Sequence, residues 1–183
     1  RVTAGKLAVY GECGVDLPAG PSEAAIVTDG TVDPAITASD VMCQAEHGDE
    51  SSVVLVTTSN AEAEAVLAEI DRQLPLLARR DIITKALENH GQIVVAASTT
   101  DALAYANSWA PEHLSLHTRN ARSDAAAVPN AGSVFIGEWT PEAAGDYATG
   151  ANHILPTGGL ARAYGPLSVD DFGSWRQIQT LTY

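Results

Sequence analysis

The stretch SVVLVTT, Ser52–Thr58, decides the fold class of this chain. It is an unbroken run rich in β-branched residues, which is typical of a strand that is buried on both faces. Ser59 or Asn60 then caps a predicted helix, because the apolar residues that follow recur with the helical period, at Ala63, Val66, Leu67, Ile70 and Leu74. A buried strand followed at once by an amphipathic helix is the repeating unit of an α/β protein.

The same alternation of strand and helix extends in both directions from this stretch. Upstream, residues 24–28 form a short apolar strand, and Asp33-Pro34 marks the start of a helix that runs to about His47. Downstream, the pattern predicts helices at 80–90 and 98–109 and strands at 92–97, 114–118 and 133–137, the first of these strands being buried. We therefore predict an α/β fold, an incomplete Rossmann-like, mostly parallel sheet with helices on both faces.

Three regions follow from this organisation. Residues 1–23 are expected to be a fragment of a preceding element together with the loop AGPSE, and their abrupt start suggests a chain cut from something longer. Residues 24–137 form the α/β domain. Residues 138–183 begin with a loop rich in Gly, Pro, Asp and Asn, which is expected to carry the site, and end in a tail that can form one more helix at 168–182.

The charge and composition argue against several classes of function. The net charge of −13 arises from 23 acidic and 10 basic residues, so neither nucleic acid nor an anionic membrane surface is an expected partner. The apolar stretches are only strand-sized, and no signal peptide is recognisable. Cys13 and Cys43 belong to no metal or disulfide pattern, which favours free thiols and a cytoplasmic location. There is no GxGxxG or Walker A motif, so no cofactor-binding residues are assigned.

Two residues near the end of the predicted helix at 34–47 can bind a metal. Gln44 and His47 are three positions apart, so on a helix they share one face and present an amide oxygen and an imidazole nitrogen. Such a pair can contribute to a zinc site, although two residues do not complete one. Alternatively, His47 simply ends the helix, where the helix dipole favours a histidine.

Three further segments carry side chains suited to chemistry. Glu112-His113 is suited to general acid–base work, because histidine titrates near neutrality and burial can raise the pKa of a glutamate, but a surface salt bridge is the alternative. Asp146 and His153 share one loop, where Asp146 either offers an oxygen ligand or forms a turn. Ser22 either contacts a ligand or caps a turn, and no GxSxG motif marks it as a nucleophile.

The order of these segments resembles the signature of the histidinol dehydrogenases. AGPSE, QAEH, APEHL, GDY and NHILPT occur in this order, and the similarity runs from CGVDLPAGPSE to LSVDDF. The resemblance implies an enzyme that oxidises L-histidinol to L-histidine through an aldehyde stage with two NAD⁺, as a homodimer with one zinc per site. The small-molecule substrate would then be L-histidinol and the cofactors zinc and NAD.

The resemblance also implies roles for individual residues. Gln44, His47 and Asp146 match zinc ligands. His113 matches the base that takes the hydroxyl proton as hydride leaves, and Glu112 matches the group that activates water in the second step. Substrate contacts are implied for six residues, namely Ser22, Gln44, His47, His113, Asp146 and His153.

Two parts of the family pattern have no counterpart in this sequence. The family's fourth zinc ligand, a His from the partner subunit, and a nearby Glu belong to a segment beyond Tyr183, and the main NAD-contacting region precedes the matched part. We therefore expect the chain alone to be inactive. The alternatives are a related polyol or sulfonate alcohol dehydrogenase on the same scaffold, an inactive metal-binding fragment, and an α/β domain in which the predicted ligands are scattered.

Overall fold

The computed structural model describes residues 2–183, and its centre is one five-stranded sheet. The strands are β1 (Glu23–Thr28), β2 (Ser52–Thr57), β3 (Gly91–Val95), β4 (His113–His117) and β5 (Ser133–Ile136). Their order is β3-β2-β1-β4-β5, and each pair of neighbours is parallel. The predicted α/β fold is confirmed, with a sheet that is parallel throughout rather than only mostly.

Helices connect the strands of the sheet. They are α1 (Val2–Ala8), α2 (Pro34–Ala45), α3 (Asn60–Gln73), α4 (Arg80–His90), α5 (Thr99–Trp109), α6 (Ala121–Asp124) and α7 (Glu142–Tyr147). Asp33, Ser59 and Ser98 each accept a hydrogen bond from a backbone N–H in the first turn of α2, α3 and α5. These three helices therefore begin at the residues that the capping preferences predict.

Two separate apolar cores lie on the two faces of the sheet. On one face, Val66 of α3 and Ile83 of α4 pack in a cluster with Leu55 of β2. On the other face, Leu103 of α5 packs in a cluster with Val54 of β2. Val54 and Leu55 are neighbours that point into different cores, as expected for a strand covered on both sides.

A strand forms in the region predicted at residues 92–97, but the prediction that it is buried is wrong. β3 spans Gly91–Val95 and forms the edge of the sheet, where it pairs with β2 alone. Ile93 and Val95 remain 41% and 45% exposed. The apolar composition of the segment does not reveal that the sheet ends there, because burial depends on which elements pack beside a strand.

The region after β5 differs from the prediction in two ways. Helix α7 lies in a segment for which the sequence predicts a loop. The tail forms only a short 3-10 helix at Val169–Phe172, and its other residues are exposed without regular structure, including Trp175 and Leu181. Within residues 2–183, no helix is long and apolar enough to cross a membrane.

Candidate functional site

The predicted site residues meet at the amino-terminal edge of the sheet. β1 and β4 begin side by side, with Ala24 paired to His113. Ser22 precedes β1 and Glu112 precedes β4, while α2 runs back from β1 and brings Gln44 to the same edge. Parallel α/β sheets usually bind ligands at the opposite, carboxyl edge. The fold class alone would therefore have placed the site at the wrong end of the strands.

Glu112 is buried and held by two hydrogen-bond donors. Its Oε2 atom accepts hydrogen bonds from Ser22 Oγ at 2.7 Å and from the backbone N–H of Glu23 at 3.0 Å. Burial raises the pKa of Glu112, and the two hydrogen bonds offset only part of that effect. Because Glu112 lies just before β4, its side chain and that of His113 line the same cavity, although strand neighbours point to opposite faces.

The Nδ1 atom of His113 is surrounded by oxygen acceptors. Oε1 of Gln44 lies 3.1 Å away, Oε1 of Glu142 lies 3.8 Å away and Oε2 of Glu112 lies 3.9 Å away. These contacts assign the ring hydrogen to Nδ1 and leave Nε2 with its lone pair. Burial lowers the pKa of His113 to about 4, so the ring is uncharged at neutral pH.

Gln44 and His47 extend from the same end of α2 into different surroundings. Gln44 is fully buried, its Oε1 atom lies 3.5 Å from Ser22 Oγ as well as beside His113, and its Nε2 atom has no hydrogen-bond partner among residues 2–183. His47 is exposed to the cavity, and its Nδ1 atom lies 3.2 Å from the carbonyl oxygen of Cys43. A hydrogen on Nδ1 donates to that carbonyl and leaves Nε2 available as a ligand.

The geometry of His47 and Asp146 fits a shared metal ion. His47 Nε2 lies 3.6 Å from Asp146 Oδ2, which is too long for a hydrogen bond but suits two ligands that each lie about 2.0–2.2 Å from one zinc ion. A histidine that binds metal commonly donates its other ring N–H to a backbone carbonyl, as His47 does to Cys43. Among residues 2–183, no three His, Cys, Asp or Glu side chains are grouped for metal binding.

A cavity of about 480 Å³ joins these groups. It is lined by Ser22, His47, Glu112, His113, Asp146, Tyr147 and His153. The loop that carries His153 is fixed by Asn152, whose Nδ2 donates a hydrogen bond of 2.6 Å to the carbonyl oxygen of Leu167. The structure thus brings every predicted site residue except Gln44 to the wall of one cavity, and Gln44 contacts two of them from the buried side.

Sequence reasoning missed Glu142, a buried carboxyl group next to this cavity. Glu142 is the first residue of α7 and is 3% exposed, and burial raises its pKa well above the ordinary value. The sequence of the segment predicts a loop, because it is nearly all loop chemistry and carries Asp, Asn and His. The available signal was Pro141 followed by Glu-Ala-Ala, since proline commonly stands at the start of a helix and acidic residues favour the first turn.

A second missed feature is a buried polar cluster between α2 and β4. Asp40 Oδ2 accepts a hydrogen bond of 3.3 Å from Ser115 Oγ and lies 3.3 Å from His117 Nε2, while His117 Nδ1 lies 2.9 Å from Thr37 Oγ1. The alternation HLSLH at His113–His117 was the available signal, because every second side chain of a strand faces the same side. The cluster ties α2 to β4 and so fixes one side of the cavity relative to the other.

This chain is similar to histidinol dehydrogenases in sequence and in structure. The family model described as histidinol dehydrogenase matches residues 1–183. A histidinol dehydrogenase from Geobacter metallireducens is 47% identical over 171 residues, which cover 93% of this chain and 39% of that protein. One from Bacteroides thetaiotaomicron is 46% identical over 172 residues, which cover 93% of this chain and 40% of that protein.

The solved structures agree with the sequence relatives. The crystal structure of histidinol dehydrogenase from Elizabethkingia anophelis matches with a TM-score of 0.89 and 40% identity, covering 93% of this chain and 39% of that one. The chain therefore spans about two fifths of the length of the relatives it matches.

Proposed function

Since the chain belongs to the histidinol dehydrogenase family, we propose that it carries the acid–base and metal-binding groups of an oxidoreductase of histidine biosynthesis. The reaction is the oxidation of L-histidinol to L-histidine through the aldehyde, with two NAD⁺. The observation that carries the proposal is His113, whose Nδ1 faces three oxygen acceptors while the ring lines the same cavity as Glu112, His47 and Asp146.

His113 is the proposed base of the first oxidation. When an alcohol is oxidised, the carbon loses hydride and the hydroxyl loses its proton, and the proton passes here to Nε2 of the uncharged ring. Glu142 and Glu112 lie 3.8 and 3.9 Å from Nδ1, and their carboxyl groups can stabilise the positive charge that the ring then carries. His113 can release this proton readily, because burial keeps its pKa at about 4.

Glu112 is the proposed base of the second oxidation. The aldehyde must gain a hydroxyl group before it can lose a second hydride, so a water molecule adds to the carbonyl carbon and gives up a proton. Glu112 lines the cavity, and burial raises its pKa, which makes the ionised carboxylate a stronger proton acceptor. Ser22 holds this carboxylate in place through its hydrogen bond of 2.7 Å.

Zinc and NAD⁺ are the proposed cofactors. When bound, NAD⁺ supplies the hydride acceptor, and zinc supplies a positive charge that orients the imidazole and amine of histidinol. Gln44, His47 and Asp146 are the residues that would hold the zinc, and their amide, imidazole and carboxylate donors suit that ion. His153, on the same cavity wall, would contact the substrate.

The proposed assembly is a homodimer of the longer enzyme. In this proposal, the chain supplies three zinc ligands and the two bases, His113 and Glu112. The remaining zinc ligand and the NAD contacts come from other parts of the dimer. The exposed apolar tail, including Trp175, Ile178 and Leu181, is consistent with a surface that is covered in such an assembly.

A chimera tests the proposed function. The chain would replace its 171-residue counterpart in the Geobacter metallireducens relative, and NADH formation would be followed with L-histidinol. We expect two NADH per histidinol and a loss of kcat of about 10²–10⁴-fold for His113→Ala, with no loss for His90→Ala at the end of α4.

Turnover of polyols or sulfonated alcohols but not histidinol would instead indicate a related dehydrogenase. A folded, zinc-loaded chimera without turnover would indicate an inactive metal-binding fragment.

A further inference from the structure

Glu142 is a buried acid without a hydrogen-bond partner. Its side chain is 3% exposed, and neither carboxyl oxygen has a partner among residues 2–183. Burying a carboxyl group without hydrogen bonds costs folding free energy, and a methionine or leucine of similar size would avoid that cost. Buried polar groups that lack hydrogen bonds tend to serve a function.

Glu142 lies close to the proposed base. Glu142 Oε1 lies 3.8 Å from His113 Nδ1, so a side-chain movement of about 1 Å brings the two atoms to the usual hydrogen-bond distance of about 2.9 Å. The His113 ring is held on another side by Phe135, with the ring centroids 5.9 Å apart and the planes tilted by 57°. Glu142 therefore faces the Nδ1 edge of a ring whose orientation other contacts already restrict.

Each of the two other acceptors near this N–H has a second partner or a second proposed role. Glu112 Oε2 already accepts two hydrogen bonds, from Ser22 and from the backbone of Glu23. Gln44 Oε1 is closest to Nδ1, at 3.1 Å, but under the proposed function the same amide oxygen also binds the metal. Glu142 is the acceptor at this edge whose oxygens have no hydrogen-bond partner among residues 2–183. A carboxyl group can accept a hydrogen bond through an oxygen whether or not it carries a proton.

We propose that Glu142 is a positioning residue, which accepts a hydrogen bond from His113 Nδ1 and so keeps the lone pair of Nε2 turned towards the substrate. This inference rests on the proposed function, because it matters for catalysis only if His113 is the base. A carboxyl partner at Nδ1 holds a catalytic histidine in the correct tautomer and orientation, and it stabilises the positive charge that forms on the ring during proton transfer.

The tautomer of His113 tests the proposal in the chain itself. The 183-residue chain has five histidines, so ring ¹⁵N signals of labelled, chelator-treated protein can be assigned. In Gln44→Met, we expect His113 to keep its hydrogen on Nδ1, because Glu142 accepts it. In Gln44→Met/Glu142→Met, the hydrogen should no longer prefer Nδ1, so the two ring nitrogens should lose their separate chemical shifts. In Gln44→Met/Glu142→Gln, the wild-type pattern should return, because an amide oxygen also accepts a hydrogen bond.

Two results would overturn the proposal: loss of the Nδ1–H tautomer in Gln44→Met alone, or its persistence in the Gln44→Met/Glu142→Met variant. If the double variants do not fold, the single variant Glu142→Met decides instead. It should speed exchange of the His113 Nδ1 hydrogen with water by about fivefold, the effect of one lost hydrogen bond, and an unchanged rate would contradict the proposal. Neither measurement uses substrate or NAD⁺, so failure of the chimera assay and failure of this test are separate outcomes.

Discussion

His113 Nδ1 and Gln44 Oε1 lie 3.1 Å apart, although 69 positions separate the two residues in the chain. This contact joins the start of β4 to the end of α2, and so connects the proposed base to the side of the site that would hold zinc. The cluster of Asp40 and His117 joins the same two elements further along. The position of Gln44 relative to the proposed base is thus set by the packing of one helix on one strand.

Removing the hydroxyl group of Ser22 should destabilise the protein. Ser22→Ala leaves the buried Glu112 carboxylate with one donor fewer, and we expect a loss of about 1–2 kcal/mol in the free energy of unfolding from urea denaturation. Ser123→Ala is the matched control, because Ser123 is exposed and donates only to the Asn120 carbonyl. Equal losses in the two variants would show that the Ser22 hydrogen bond does not hold Glu112.

Zinc affinity should depend on His47. Competition with a coloured chelator should show zinc binding by the wild-type chain and at least about tenfold weaker binding by His47→Ala. His90→Ala is the control, because His90 is exposed at the end of α4 and does not line the cavity. If both variants bind zinc like the wild type, His47 is not a ligand, and the separation of 3.6 Å from Asp146 would need another explanation.

Replacing Glu142 by glutamine should stabilise the protein increasingly as the pH rises. Burial raises the pKa of Glu142 in the folded state, so above the unfolded pKa of about 4.5 the folded protein binds more protons than the unfolded chain. The wild type therefore loses up to about 1.4 kcal/mol per pH unit through this group until the folded pKa is reached. Glu142→Gln removes this loss.

The measurement is urea denaturation of wild type and Glu142→Gln at several pH values. The difference in unfolding free energy should be small near pH 4 and should grow towards neutral pH. Glu64→Gln, at an exposed position of α3, should show no comparable growth. A difference between wild type and Glu142→Gln that does not change with pH would mean that the carboxyl group is not held in a site that disfavours its charge.

Gly145 should not tolerate a side chain. A Cβ atom at this position would lie 2.9 Å from Cε1 and Cζ of Phe135, the ring that packs on His113. Overpacking typically costs about 1–3 kcal/mol, and the gain in helix propensity of about 1 kcal/mol offsets only part of it. We expect thermal unfolding of Gly145→Ala at a lower Tm, together with shifted His113 ring signals in NMR spectra.

The control for Gly145→Ala is Gly5→Ala in α1, where a Cβ atom meets no heavy atom within 4 Å. This variant should keep or slightly raise the Tm. If Gly145→Ala behaves in the same way and leaves the His113 signals in place, the close approach of α7 to Phe135 does not constrain the site.

The fold was largely predictable because its signals are local. The run Ser52–Thr58 and the caps Asp33, Ser59 and Ser98 act through neighbouring residues, and the structure places a strand and three helix starts where they indicate. The exposure of β3 was not predictable in this way. Its residues are as apolar as those of a central strand, and only the sheet order shows that, within residues 2–183, one side has no neighbouring strand.

The identities of the site residues came from the sequence, through the order of short motifs that resembles one family. Their arrangement did not. Ser22 and Glu112 are 90 positions apart and meet because β1 and β4 are parallel neighbours that begin at the same edge. Pro141 and Glu142 signal at most a helix start, and the burial of Glu142 could not be predicted, because it results from the packing of a six-residue helix against α2 and the start of β4.

The sequence by itself therefore determined the α/β class, the helix starts and the chemical groups available for catalysis, since propensity, capping and residue type are properties of short segments. Only the tertiary structure decided which groups share a cavity, which nitrogen of His113 carries the hydrogen and which carboxyl groups are buried. These properties depend on distances between residues far apart in the chain, and packing of the helices on the sheet sets those distances.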